Sequence, residues 1–154
     1  MYRDTSDTTA GRLNLSRLAG GMDEELRCLL GPTIRVATGR LPARGSTAVR
    51  APREEIVALL RHLALDAHDA MPTGGTVTIR TGRLGDAAEC AAIVIHEVPD
   101  SPVSAARGKV APPRKGRSLG LGACFVAVER AGGHFHVSCR DGETVVTICF
   151  PLAR

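Results

Sequence analysis

The segment HLALDAHDAMPTGG, residues 62–75, carries three side chains that could do chemistry together: His62, Asp66 and Asp69. With His62 set at zero and about 100° per residue, Asp66 falls at about +40°, Asp69 at about −20° and Glu55 at about +20°. Ile56, Leu59, Leu60, Leu63, Ala67 and Ala70 cluster between roughly +60° and +160°, the apolar face. The polar stripe therefore adjoins the core side of the helix instead of opposing it. A His and an Asp four residues apart can chelate, but two ligands fall short of a dedicated metal site. A Mg²⁺ shared with a nucleotide's phosphates needs only one carboxylate or amide from the protein. The competing reading is a solvated flank of an ordinary amphipathic helix.

The elements that would position this stripe follow from periodicity and punctuation. Pro52 suits a first helical position, Glu54 and Glu55 favour the helix N-terminus, and the helix runs to about Met71 before PTGG stops it. TVTIRTG alternates, CAAIVIHEV reads as another strand, and the turn-rich segment between them predicts a hairpin. TIRVATG and STAVRA read as strands before the helix. SLGLGACFVAVERAGG reads as an apolar helix closed by Gly132-Gly133, and HFHVSCR-DG-ETVVTICFPL as a final hairpin. His134 and His136 then alternate as half-buried strand residues, and His68 lies on the far side of the helix from His62, at the surface. Residues 1–12 read as a loose start, and Leu13–Leu30 as helical in its second half, interrupted by Gly20-Gly21. Residues 99–117, rich in proline and basic side chains without periodicity, read as a mobile basic loop. Hairpin strands broken by single helices predict an α+β fold, a two-layer sandwich with helices on one face of the sheet.

Composition narrows the function classes. The chain has 154 residues, 44% hydrophobic and 23% charged, which suits one soluble domain. Its net charge of +4 suits a nucleotide or an acidic partner. Aromatics make up only 3%, so the stacking platform of a single-strand nucleic-acid binder is missing. Five cysteines, odd in number and without a C-x-x-C pair, predict reduced, mostly buried thiols and a cytoplasmic location. The N-terminus has no signal-peptide pattern, and no window is apolar for the length of a membrane span.

LLRHLALDAHDAMPTGGTVTIRT resembles the N-box of the sensor histidine kinase catalytic domain, of the gyrase and histidine-kinase (GHKL) ATPase superfamily. The family pattern there is close to LLNLxxNAxDAMPxGGxxxI. GRSLGLGACFVAVERAGGHFHVSCRDGETVVTICFPL resembles the family's second glycine box together with its C-terminal helix and hairpin. LGPTIRVATGRLPARGSTAVRAPREEIVALL matches the entry of two strands, a proline and the N-box helix. The resemblance covers about residues 28–154 and implies a histidine-kinase-type ATPase-like domain over 29–154, with a mixed sheet, preceded by a helical remnant over 1–28. It also implies ATP and Mg²⁺ as cofactors, and a response-regulator receiver domain or a histidine kinase as partner in two-component signalling.

Carried over by position, the Mg-holding Asn falls on Asp66, the Asn four residues before it on His62, and the family's Asp on Asp69. The adenine-binding Asp falls on Asp100, with Glu97 as a rival. The phosphate-wrapping glycine box falls on Gly116, Ser118, Leu119, Gly120 and Gly122, with Lys115 beside it. Arg107, Lys109, Arg114 and Arg117 could also meet phosphates. Several positions depart from the pattern. Asp66 is still an oxygen ligand but adds negative charge. His62 is bulkier than Asn, Pro102 and Ser104 stand where glycines allow close approach, and Ser118 replaces a glycine. The aromatic lid box is absent. About 28 residues precede the domain, and they hold no His to act as phosphoacceptor. The expectation is a domain whose Mg·ATP binding is weak or lost and which cannot phosphorylate itself. The alternatives are a non-catalytic scaffold or phosphotransfer adaptor that docks a receiver or kinase, and a Ser/Thr kinase of the anti-sigma-factor type.

Overall fold

The structure is a computed structural model and describes residues 8–9, 11–85, 89–100 and 115–153, with side-chain surroundings for all of these except 8, 9, 115–121 and 123. In chain order the elements are β1 (Thr8–Thr9), β2 (Arg12–Asn14), α1 (Leu15–Gly21), α2 (Asp23–Leu30), β3 (Ile34–Arg40) and β4 (Ala48–Val49). They continue with α3 (Arg53–Ala70), β5 (Gly75–Leu84), β6 (Cys90–Pro99), α4 (Lys115–Arg130), β7 (His134–Arg140) and β8 (Glu143–Pro151).

Five strands form one mixed sheet in the order β3-β5-β6-β8-β7. β3 runs parallel to β5, and the other neighbours are antiparallel. The register lines up Val36, Val77 and Glu97, then Ile79, Ile95 and Val146, then Ile93 and Ile148, all on one face. Every apolar member of these rows is buried, and they share a core cluster with Leu59, Leu60 and Leu63 of α3 and Cys124 and Val128 of α4. The helices therefore cover one face, and the period-2 alternation of the strands is the sequence signature of that arrangement. Asp141 and Gly142 both adopt positive φ, 53° and 80°, which is the twist a two-residue hairpin turn between β7 and β8 requires.

The N-terminal part is more ordered than its composition suggests. Thr8–Thr9 pairs with Arg12–Leu13, and Leu13–Asn14 pairs with β4 to make a second, three-stranded sheet. Leu13, Leu15, Leu18, Met22, Leu26 and Leu30 are all within 4% exposure and belong to the common core. The Asn14 side chain caps α1 by accepting from the Arg17 amide at 3.0 Å. Buried Thr47 gathers Asn14 Oδ1 and Ser16 Oγ at 3.1 Å each, and Thr81 of β5 donates to Ser16 Oγ at 2.8 Å. These bonds tie Asn14 and Ser16, where β2 meets α1, to the main sheet.

Three expectations shift in detail. Pro52 is the N-cap of α3 and not its first residue, and its carbonyl accepts from Glu55 N at 3.1 Å. α4 begins at Lys115, three residues before Ser118, so the glycine-box residues stand within its first turns. Of the segment read as a mobile basic loop, Pro99 closes β6, residues 115–117 open α4, and 101–114 lie outside the described residues.

Candidate nucleotide site

The stop at PTGG is a convergence of three chain segments. Met71 caps α3 by donating to Ala67 O at 3.1 Å, and Gly74 N returns to Met71 O at 3.0 Å. Gly75 N then donates to Thr33 O at 3.3 Å beside β3, and Asp100 N donates to Gly74 O at 3.0 Å beyond β6. Gly74 has φ +97°, and a Cβ there would lie 2.6 Å from Thr33 O. A Cβ on Gly75 would lie 2.5 Å from both Val98 O and Met71 Sδ. Only glycines let the helix end, the β3 entry and the β6 exit close to this distance. The result fixes the C-terminal third of α3 over the Gly75–Pro99 end of the sheet.

The stripe on α3 divides at this point. Asp66 is 8% exposed, whereas His62 and Asp69 face solvent. His68 Nδ1 lies 3.2 Å from Asp69 Oδ1 at the surface. Asp66 faces Cys124 of α4: burial first, and the negative charge of Asp66 second, push the Cys124 thiol up from 9.0 to about 11. The Cys124 thiol points to Leu59 O at 4.0 Å, so it fills the seam between α3 and α4.

The two carboxylates considered for the base-recognising role sit on opposite faces of the sheet. Glu97 is 4% exposed and belongs to the helix-facing row with Val77 and Thr144. Asp100 is half exposed and bonds Arg35 Nη2 at 2.7 Å. Arg35, on the open face of β3, also donates to Thr76 Oγ1 through Nε at 3.2 Å and Nη2 at 3.0 Å. The carboxylate of Asp100 holds the Arg35 guanidinium above its usual range through that hydrogen bond and the charge behind it. Thus the structure brings Asp66 and Glu97 into the layer between helices and sheet, and takes Asp100, His62 and Asp69 out of it.

Thr144 is a neighbour of Glu97 that motif reading missed. It pairs with Glu97 across β6 and β8, and Cys139 Sγ lies 3.5 Å from its hydroxyl. The alternation of β8 was the available signal, but only the register shows that Thr144 stands beside Glu97. Lys115, Gly116, Ser118, Leu119 and Gly120 occupy the first turns of α4, with side chains outside the described surroundings. Gly122 is exposed with open space where a Cβ would be. Arg107, Lys109 and Arg114 lie outside the described residues, as do Pro102 and Ser104, and nothing is described of the surroundings of Arg117.

The remaining histidines and cysteines depart from expectation. His134 and His136 are exposed and not half-buried, because β7 is the edge strand of the sheet. Only Cys124 is fully buried; Cys90 and Cys149 are half-buried, and Cys28 and Cys139 are exposed. Among the described residues, no group of three or more His, Cys, Asp or Glu side chains is arranged to hold a metal. Among the same residues, no helix is long and apolar enough to cross a membrane.

No known family matches the chain by sequence, and no curated protein does. Solved structures match it in shape. The mycobacterial sensor histidine kinase MprB aligns with a TM-score of 0.66 at 17% identity, over 91% of this chain and 95% of that one. The nucleotide-free catalytic domain of the histidine kinase ThkA aligns with a TM-score of 0.64 at 19% identity, over 91% and 93%. The histidine kinase domain of the E. coli osmosensor EnvZ aligns with a TM-score of 0.61 at 15% identity, over 100% and 94%. With its five-stranded mixed sheet, its one-sided helix layer and its N-box-like α3, this chain has the fold of the histidine kinase catalytic domain.

Proposed function

We propose that the chain is a histidine-kinase-type ATP-binding module of two-component signalling, with Mg·ATP affinity weakened by its altered boxes. The observation that carries this reading is the pair of buried carboxylates, Asp66 from α3 and Glu97 from β6, in the layer between helices and sheet. Asp66 offers Mg²⁺ a hard oxygen ligand. With no cluster of three or more suitable side chains among the described residues, the nucleotide's phosphates and water would supply the other ligands. The metal's chemistry is to neutralise phosphate charge. Glu97, paired across the strands with Thr144, accepts a hydrogen bond from the adenine amino group in place of Asp100. The first turns of α4, from Lys115 through Gly116, Ser118, Leu119, Gly120 and Gly122, receive the phosphates at a helix N-terminus.

Weakening has three sources. Asp66 brings a negative charge that repels the triphosphate when metal is absent. His62 and Asp69 stand exposed, out of the layer that holds Asp66. Ser118 interrupts the glycine pattern. A phosphoacceptor His would come from another protein or segment, and the cytoplasm is where such a module would work.

Calorimetric titration with Mg·ATP, beside Asp66→Ala, tests the reading. Saturable binding lost in the variant supports it, and equal binding in both proteins overturns the assigned pocket. A second reading, a non-catalytic scaffold that docks a receiver domain or a kinase, is favoured by exposed Leu65 (46%), Phe125 (44%) and Val126 (49%) in the helix layer. Absence of heat and of thermal stabilisation at millimolar nucleotide, with recovery of a receiver domain by the immobilised chain, would select it.

A further inference from the structure

Two cysteines meet on the face of the sheet that the nucleotide layer does not use. The register of β6 and β8 pairs Cys90 with Pro151 and Ala92 with Cys149, so the two cysteines are diagonal neighbours. Both lie on the open face, opposite the row of Ile93 and Ile148, and both are half-buried. Cys90 Sγ donates to Leu84 O at 3.3 Å, and the Cys149 thiol is near enough to be influenced by Cys90. This pair sits at the Leu84–Cys90 end of the sheet, the far end from Gly75 and Pro99.

Three chemistries compete for two neighbouring thiols. A disulfide requires Cα atoms about 4.4–6.8 Å apart. Diagonal neighbours in an antiparallel pair stand about 7–8 Å apart, so bridging would have to move the backbone. β6 and β8 are both interior strands, paired on two sides, which opposes that movement. Zinc requires four ligands, and no group of even three is arranged for a metal among the described residues. A soft d10 monovalent cation is satisfied by thiolates alone and needs no third protein ligand.

We propose that Cys90 and Cys149 form a two-thiolate site for a soft monovalent cation, copper(I). Two S–H bonds break, two metal–sulfur bonds form, and both protons pass to solvent, with no change of oxidation state. The Cys149 thiol is pushed up from 9.0 to about 11, by burial first and by Cys90 second. In the absence of metal the Cys149 thiol is therefore un-ionised at neutral pH and a poor nucleophile toward peroxides. Occupancy would clamp β6 to β8 without touching the helix-facing side.

The test uses the reduced full chain under anaerobic conditions, carrying Cys28→Ser and Cys139→Ser to remove the two exposed thiols. Copper(I) is titrated against a chromogenic copper(I) chelator, and proton release is followed in weak buffer. The parent is expected to hold a single ion and release two protons per ion. Loss of outer-shell partners alone weakens metal sites about 10–100-fold, so Cys90→Ser and Cys149→Ser should each weaken binding by at least about 100-fold. Thermal melting confirms that each variant is folded, and one folded variant suffices. Undiminished copper(I) binding in a folded single variant, or no binding by the parent, overturns the proposal.

Discussion

Glu97 and Asp100 are three residues apart at the end of one strand, yet they belong to different halves of the molecule. Glu97 faces the helices, is almost wholly buried and stands beside Thr144. Asp100 turns to the open face and joins Arg35 and Thr76 at the surface. Residue type favours Asp100 as the base-recognising carboxylate, whereas strand phase favours Glu97. An odd displacement along a strand changes the face, and the face decides which ligand a side chain can reach.

The comparison of faces can be broken most forcefully in the core. Ile93, fully buried on the helix-facing side of β6, should cost about 2–5 kcal/mol when changed to Ala. Its neighbour Val94, half-buried on the open side, should cost about 1 kcal/mol or less, since most of its contact with solvent is kept. Urea unfolding of the two variants measures the contrast, and equal losses would mean that the faces are not as unequal as described.

A somewhat smaller effect belongs to the seam between α3 and α4. The folded chain holds the Cys124 proton more tightly than the unfolded chain does, with a thiol pKa of about 11 against 9.0. Its contribution to stability is therefore intact below about pH 9 and is lost as pH rises through about 11. The loss is about 2–3 kcal/mol from this group. Cys124→Ala should remove this alkaline limb from the pH profile of unfolding. Asp66→Asn should shorten it, because the carboxylate is the second cause of the shift. A limb unchanged in Cys124→Ala would assign it to other groups.

The smallest effect is expected on the open face. Arg35 and Asp100 both lie at the solvated surface, so Arg35→Ala should leave the melting curve nearly unchanged and reduce its sensitivity to salt.

Much of the fold was legible because burial imposes simple periods. The strands 34–40, 75–84, 90–99, 134–140 and 143–151 match runs read as strands, and α3 tracks its apolar face to within a residue of its end. The order of Leu13–Leu30 was harder to read. Gly20 and Gly21 break the apolar pattern, and its burial depends on contacts with distant Thr47 and Thr81 that no local window contains. The candidate site was legible in part. Helix phase and resemblance singled out Asp66, which is buried beside the core face, but the pairing of Thr144 with Glu97 required the β6–β8 register. The exposed edge position of His134 and His136 likewise comes from strand order, which alternation alone does not encode.

The central claim is that Glu97, not Asp100, completes the layer that holds Asp66. Titration of Mg·ATP into the parent chain, Glu97→Ala and Asp100→Ala, with melting curves to confirm folding, tests it most directly. Removing a hydrogen bond to a charged group costs about 1.5–3 kcal/mol, so Glu97→Ala should weaken binding roughly tenfold to a hundredfold. Asp100→Ala should bind as the parent does. Loss of binding in Asp100→Ala with retention in Glu97→Ala would contradict the account.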